Sequence, residues 1–229
     1  MTVKLRDFYE IGQKVNDDPL VYVFENFLTQ QEVDQLLTAA KPKLKKALVS
    51  DDKTGVESDS RSGRNCWLAF KQHRVIEDLS LRVAEVVGLP LEQAESLQVI
   101  HYRQTQEYAP HYDAWDVATE RGRRCMIKGG QRMITCLLYL SDVEEGGGTS
   151  FPNLDMEVRA KKSRMVLFHN CYAGRNIRHP DSLHGGMPVT KGEKWACNLW
   201  FRESNYQNLK QVPKRKIPAA ALPKFNRVI

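Results

Sequence analysis

Five short apolar-rich runs limit what this chain can fold into: Leu20–Phe24, Leu97–Tyr102 and residues 133–140, 165–168 and 195–201. Clusters of Gly, Pro, Asn and Asp separate them, and they read as strands. The expected fold class is therefore mainly β with flanking helices. Two segments between the first run and the others carry helical signals. Thr29 with Glu32 three residues later makes a capping box ahead of Val33, Leu36 and Leu37, predicting a helix that ends near Pro42. Ile76, Leu79, Val83 and Val86 give an apolar face to a second helix over 75–87, stopped by Gly88 and Pro90. Residues 49–65 are polar and contain Gly55 and Gly63. They predict a loop, open between a substrate lid and a solvated connection.

The length of 229 residues suits one globular domain. A chain of this size buries roughly 70–75% of its unfolded surface and needs no disulfide staples. Cys66, Cys125, Cys136, Cys171 and Cys197 form no CxxC pair and leave an odd count, so free thiols are expected. Residues 1–16 are charged and lack the apolar centre of a signal peptide, and no run approaches the ~18 apolar residues of a membrane span. A reducing intracellular location, the cytoplasm, is the expectation, and no membrane partner is expected. After Glu203 there is no acidic residue, while Lys210, Lys214, Arg215, Lys216, Lys224 and Arg227 equal the formal net charge of +6. That tail is open between attracting nucleic acid or an acidic partner and packing on the domain through Val212, Ile217, Leu222 and Phe225. No recognised nucleic-acid-binding motif accompanies it.

The strongest chemical signal is His111-Tyr112-Asp113, with His184 far downstream and Lys194 beyond it. Two imidazoles and one carboxylate form the facial set that holds Fe(II) and leaves positions for a chelating co-substrate and dioxygen. If 111–113 is extended, His111 and Asp113 project from one face. His184 must then arrive from a segment adjacent in space, and Gly185-Gly186 beside it leave room for a metal and its ligands. Lys194, in Gly192-Glu193-Lys194-Trp195, offers a compact ammonium to the far carboxylate of a co-substrate. The other histidines are poor ligands. His101 points away from Tyr102 by strand alternation, His73 precedes a helix, and His169 and His179 flank a loop.

The stretches Tyr108-Ala109-Pro110-His111-Tyr112-Asp113, 138–152 with Gly146-Gly147-Gly148-Thr149, and 183–195 with Leu183-His184-Gly185-Gly186 closely resemble the catalytic domain of prolyl 4-hydroxylases. The resemblance covers about residues 20 to 203 and keeps the motifs in the family's order. It implies a double-stranded β-helix (jelly roll, cupin-like), with 1–19 as an N-terminal extension and 204–229 as a basic tail. It also implies 4-hydroxylation of a proline-containing peptide or protein with Fe(II), 2-oxoglutarate and O2, and a dependence on ascorbate. In this reading His111, Asp113 and His184 hold the metal, Lys194 pairs with the C5 carboxylate of 2-oxoglutarate, and Tyr102 and Thr149 add hydrogen bonds. Arg61, Glu95, Tyr108, Arg132 and Trp200 match groove-lining positions, and aromatic surfaces suit proline rings. Trp200 is equally open to a core role. Trp115 is expected to flank the cavity and Trp67 to anchor the long loop. Arg61-Ser62-Gly63, with Trp67 six positions after the Arg, fits the family's mobile substrate loop only in part.

Two departures from the family pattern leave the peptide preference open. Residues 114–128, with Arg121, Arg123 and Arg124, are a basic stretch, read either as a solvated loop or as a selector of an acidic substrate surface. Arg202 stands where several of the resembling enzymes carry His. The rival readings are a dioxygenase acting on another residue, a free amino acid or a small molecule, and a non-catalytic binding protein responsive to oxygen or 2-oxoglutarate. Nucleic-acid repair members of the wider superfamily usually hold the co-substrate with Arg, so Lys194 argues against that role.

Overall fold

The computed structural model describes residues 3–50, 55–56 and 60–207. In chain order the strands are β1 (Gln13–Asp17), β2 (Leu20–Phe24), β3 (Lys45–Lys46), β4 (Val49–Ser50), β5 (Gly55–Val56), β6 (Arg64–Leu68), β7 (Leu97–Tyr102) and β8 (Tyr108–His111). They continue as β9 (Arg132–Tyr139), β10 (Glu145–Gly146), β11 (Thr149–Phe151), β12 (Met156–Val158), β13 (Met165–His169), β14 (His184–Gly186), β15 (Val189–Lys191) and β16 (Lys194–Arg202). The α-helices are α1 (Gln30–Ala40), α2 (Arg74–Val87) and α3 (Glu120–Met126).

An eight-stranded sheet in the order β1-β2-β13-β9-β16-β7-β6-β3 and a four-stranded sheet in the order β12-β11-β14-β8 form the jelly roll. β7 is buried along its whole length, and β9 and β16 nearly so. Such strands are covered on both faces, which is why they read as apolar runs rather than as alternating patterns. Alternation survives in which core each side chain enters. Leu97 and Val99 join the cluster under α1 and α2, together with Cys136, Leu138, Cys197 and Leu199. Ile100 and Tyr102 join Leu137, Tyr139, Phe151, Phe168 and Ala196 in the second cluster.

The capping box forms as expected: Glu32 N–H donates to Thr29 Oγ1 at 3.3 Å and Thr29 N–H donates to Glu32 Oε2 at 2.8 Å. Glu32 has a second task. Arg82 of α2 donates to both of its carboxylate oxygens at 2.8 Å each, and Arg82 Nη2 also donates to Phe27 O at 3.0 Å. This buried ion pair ties the two covering helices together. α1 ends at Ala40, and Lys41–Lys43, which includes Pro42, tightens into a 3-10 turn. All five cysteines are unpaired. Among the described residues no helix is long and apolar enough to cross a membrane.

Three expectations are refined. Residues 3–19 are tied to the domain, because β1 pairs with β2 and the hydroxyl of buried Tyr9 shares a hydrogen bond with His169 Nε2, 2.8 Å away. An edge strand needs only a backbone partner, so its polar sequence hid it. Residues 114–128 are not all loop: Thr119 caps α3 by accepting from Gly122 N–H at 2.9 Å. Within 49–65, β4 pairs with β5 and Arg64 opens β6. Residues 51–54 and 57–59 lie outside the described set, as does the tail from 208, and the lid and tail readings fall on them. Glu32→Gln leaves Arg82 buried against a neutral partner, and chemical denaturation is expected to show a loss of about 3 kcal/mol. Paired replacement by Glu32→Met and Arg82→Leu is expected to cost less than the single change.

Candidate metal and co-substrate site

Antiparallel register assembles the site. His184 of β14 lies directly opposite His111 of β8, so residues 73 positions apart in sequence share one face. Their ring centroids are 4.5 Å apart. Asp113 stands just beyond β8, and its carboxylate lies 3.4 Å from His184 Nε2 and 3.8 Å from His111 Nε2. One donor atom from each of the three falls within 4.8 Å of the others. Each histidine is oriented by a carbonyl: Nδ1–H of His111 donates to Ala109 O and that of His184 to Ser182 O, both at 2.9 Å. Carbonyls can only accept, so both Nε2 atoms keep lone pairs directed into the site.

Burial, with the neighbouring His184, pushes the His111 pKa down to about 3, so the imidazole is a neutral donor at physiological pH. Burial alone would raise the Asp113 carboxyl, but the adjacent His184, then His111 and the Arg132 guanidinium, hold it well below the usual carboxylate range. Asp113 Oδ2 accepts from Thr135 Oγ1 at 2.7 Å and from Trp200 Nε1 at 2.8 Å. Thr135 and Trp200 are themselves opposite one another on β9 and β16. Asn170 Nδ2 donates to Thr135 Oγ1 at 2.9 Å and completes the chain. Sequence reasoning does not single out Thr135; a short polar side chain within the apolar run of β9, on the same face as Leu137 and Tyr139, is the signal that could have found it.

Lys194 opens β16 and lies opposite Tyr102 of β7. It is 2% exposed, and its Nζ donates to Gly148 O at 3.2 Å. Burial lowers its pKa from 10.5 to about 7. The Tyr102 hydroxyl is buried without a hydrogen-bond partner, with Arg61 nearby. A Cβ on Gly186 would sit 3.6 Å from Lys194 Nζ. A buried cation beside an unsatisfied hydroxyl fits a carboxylate, whose charge would offset the burial of both. Thr149 is opposite Gly186 and shares a 2.6 Å hydrogen bond with Tyr139 Oη. Gly185 answers a different need from the one expected: a Cβ there would come 3.1 Å from Pro110 N and Tyr108 O, so its absence lets β8 and β14 approach.

One cavity of about 590 Å³ joins these groups to Arg61, Glu95, Tyr108, Arg132 and Trp200. Tyr108 stacks on His111 with centroids 3.6 Å apart, and the Arg61 guanidinium lies 4.6 Å from the Tyr108 ring. Arg61 is buried and donates to Gln98 Oε1 at 3.0 Å. Arg132 lies over Trp200 at 3.8 Å and over Trp115 at 4.7 Å. Arg132 Nε and Nη2 donate to the two oxygens of Glu95 at 2.6 and 2.9 Å, and Arg202 Nη1 donates to Oε1 at 3.2 Å. Glu95 lines the cavity as a buried counter-ion to both guanidiniums. Trp67 is not a loop anchor but a half-exposed wall of the cavity, 5.9 Å from Trp200. The remaining histidines are engaged elsewhere: His101 stacks on Trp195 and meets Glu193, His73 caps α2, His169 meets Tyr9, and His179 accepts from Asp181 N–H.

Trp200→Phe removes one hydrogen bond to Asp113 while keeping an aromatic, and Fe(II) titration is expected to show affinity lowered about tenfold or more. Lys194 carries a pH signature. Its folded pKa lies below its ordinary value, so between about 7 and 10.5 the folded protein binds fewer protons than the unfolded chain and stability rises with pH. Lys194→Met is expected to raise the Tm of the protein without co-substrate at neutral pH and to abolish the Tm gain on adding 2-oxoglutarate.

The chain resembles several known proteins. Residues 97–202 match the family model of the 2OG-Fe(II) oxygenase superfamily. The chain is 36% identical to prolyl 4-hydroxylase 5 of Arabidopsis thaliana over 213 residues, covering 83% of this chain and 70% of that protein. It is 32% identical to a putative prolyl 4-hydroxylase of Acanthamoeba polyphaga mimivirus, covering 83% of this chain and 78% of that one. Among solved structures, the viral collagen prolyl hydroxylase of Paramecium Bursaria Chlorella virus-1, in its 2OG complex, superposes with a TM-score of 0.62 at 28% identity, covering 80% of this chain and 95% of that chain. The chain belongs to the prolyl 4-hydroxylases of the 2OG-Fe(II) oxygenase superfamily.

Proposed function

We propose that this protein hydroxylates proline at C4 within a peptide or protein, using Fe(II), 2-oxoglutarate and O2. One observation carries the reading: a single cavity holds the His111, Asp113 and His184 set, the buried Lys194 and Tyr102 pair, and the aromatic surfaces of Tyr108 and Trp200. His111 and His184 would present their Nε2 atoms, and Asp113 its Oδ1, to the metal. Lys194 and Tyr102 would receive the C5 carboxylate of 2-oxoglutarate, with Thr149 beside them. When bound, Fe(II) and 2-oxoglutarate supply the activation of dioxygen that converts a C–H bond to C–OH, with release of succinate and carbon dioxide.

The chain's own residues then decide what is oxidised. Thr135 and Trp200 keep Asp113 Oδ2 occupied, so Oδ1 would be the oxygen left to hold the metal. Arg132, held by Glu95, lies over the Trp200 ring and steadies it. Tyr108, Trp200 and Trp67 offer apolar area for a proline ring and exclude water from it. The viral relative's description as a collagen prolyl hydroxylase supports a peptidyl rather than a free amino-acid substrate.

Succinate formation with proline-rich peptides, read together with peptide mass, tests this. The parent protein is expected to couple succinate release to a gain of one oxygen, and His184→Ala to lose both by at least about a hundredfold. Succinate without any gain of peptide mass would exclude proline in those peptides as the substrate. Failure to bind iron at all would exclude the metal site.

A further inference from the structure

The mouth of the cavity carries a charge that its interior does not explain. Arg121, Arg124 and Lys128, from α3 and the turn after it, line the same cavity as the metal set. Among the described residues lining it, the carboxylates are Glu95 and Asp113. Glu95 is engaged by Arg132 and Arg202, and Asp113 by the histidines, Thr135 and Trp200. Neither is available to the rim. Arg121 Nε is buried with no hydrogen-bond partner, and Arg121 also lines an adjoining cavity of about 440 Å³ beside Tyr108, Pro110 and Tyr112.

The basic element is held rigidly. Arg202 Nη2 donates to Cys125 O at 2.7 Å and Lys128 O at 2.6 Å, while its Nη1 reaches Glu95. It thereby pins the C-terminal end of α3 to the cavity wall. At the other end, Gly122 packs so closely on the preceding turn that a Cβ would lie 1.8 Å from Asp116 O. The two departures from the family pattern, the basic segment and Arg202, are thus one structural device. Apolar surface accompanies it: Ile127 beside Lys128 is 84% exposed, and Leu48 and Trp67 are about half exposed in the same lining. Fixed cations beside exposed apolar groups suit a chain that presents both carboxylates and apolar side chains.

We propose that α3 is a substrate-docking wall that selects peptides bearing Asp or Glu near the target proline, with Arg121 and Lys128 as specificity-determining residues. The inference rests on the peptidyl-proline reading above. A peptide fits better than a nucleic acid because the cations share their lining with aliphatic Ile127 and Leu48, in the same cavity as the metal set.

The test uses fluorescence anisotropy with labelled proline-containing peptides whose flanks carry Asp and Glu, Gln, or Lys. Full-length parent protein is compared with the double variants Arg121→Glu/Lys128→Glu and Arg121→Gln/Lys128→Gln. The parent is expected to prefer the acidic over the neutral peptide by about tenfold at low salt, with the preference shrinking as salt is added. The Gln pair is expected to remove the preference and the Glu pair to reverse it, with neutral-peptide binding within about twofold of the parent in both. Equal affinity of the parent for all three peptides overturns the proposal, as does a preference that survives the Glu pair. A single-stranded oligonucleotide of matched charge that outcompetes the acidic peptide also overturns it. Hydroxylation of the same peptides is scored separately by mass. Charge preference without any oxygen gain would sustain the docking wall while counting against the proline reaction.

Discussion

Antiparallel pairing in one register is the constraint on which this site depends. His111 faces His184, Tyr102 faces Lys194, Thr135 faces Trp200 and Thr149 faces Gly186. Each pair combines residues distant in sequence, and the first three place both side chains on the same face of a sheet. A slip of one residue in any of these ladders would turn half of a pair to the other side. The register is secured because β7, β9 and β16 are buried on both faces, so either error would also expose apolar groups or bury polar ones. The covering helices therefore contribute to the site without touching it. Arg82 and Glu32, which join α1 to α2, help hold the layer that makes the outer face of the major sheet a core.

Charge in this interior is compensated almost everywhere. Arg82 has Glu32, Arg132 and Arg202 share Glu95, and Asp113 is surrounded by donors. Among the described residues, buried Arg61 meets a neutral amide and the Tyr108 ring, and Lys194 is a second exception. Its neighbours are a carbonyl oxygen and the ring of Tyr139, 5.4 Å away, neither of which balances an ammonium. A buried charge held by a neutral environment is costly, and folds tolerate that cost where binding relieves it. The unsatisfied Tyr102 hydroxyl beside it marks the same place. Stability and function are separated within one strand: Lys194 and Trp200 lie on the inward face of β16, while Cys197, Leu199 and Phe201 supply the opposite core.

Local spacing makes part of this architecture legible in the sequence. The capping box of Thr29 and Glu32, the apolar face of α2, and the five apolar runs correspond closely to elements, because each rests on short-range periodicity and chain geometry. The ligand set is legible as residue types. Features that depend on partners far along the chain are not. β1 is polar because it borrows its hydrogen bonds from β2. α3 is seven residues long and stabilised by Arg202 and by a turn with no room for a side chain at Gly122. Glu95 reads as a groove residue in the sequence, and only the arrival of two guanidiniums shows it to be a counter-ion.

By itself, the sequence determined the chemical inventory: two imidazoles and a carboxylate for a metal, a lysine for an anion, apolar runs for strands and capping signals for helices. Tertiary structure decided which atom each group presents and to whom. Ala109 and Ser182 carbonyls set the orientation of the imidazoles, Thr135 and Trp200 engage one oxygen of Asp113, and Arg202 attaches the basic α3 to the cavity. The reason is physical. Side-chain types and local periodicity are written residue by residue, whereas cross-strand register, burial and the pairing of buried charges exist only once segments distant in sequence pack together.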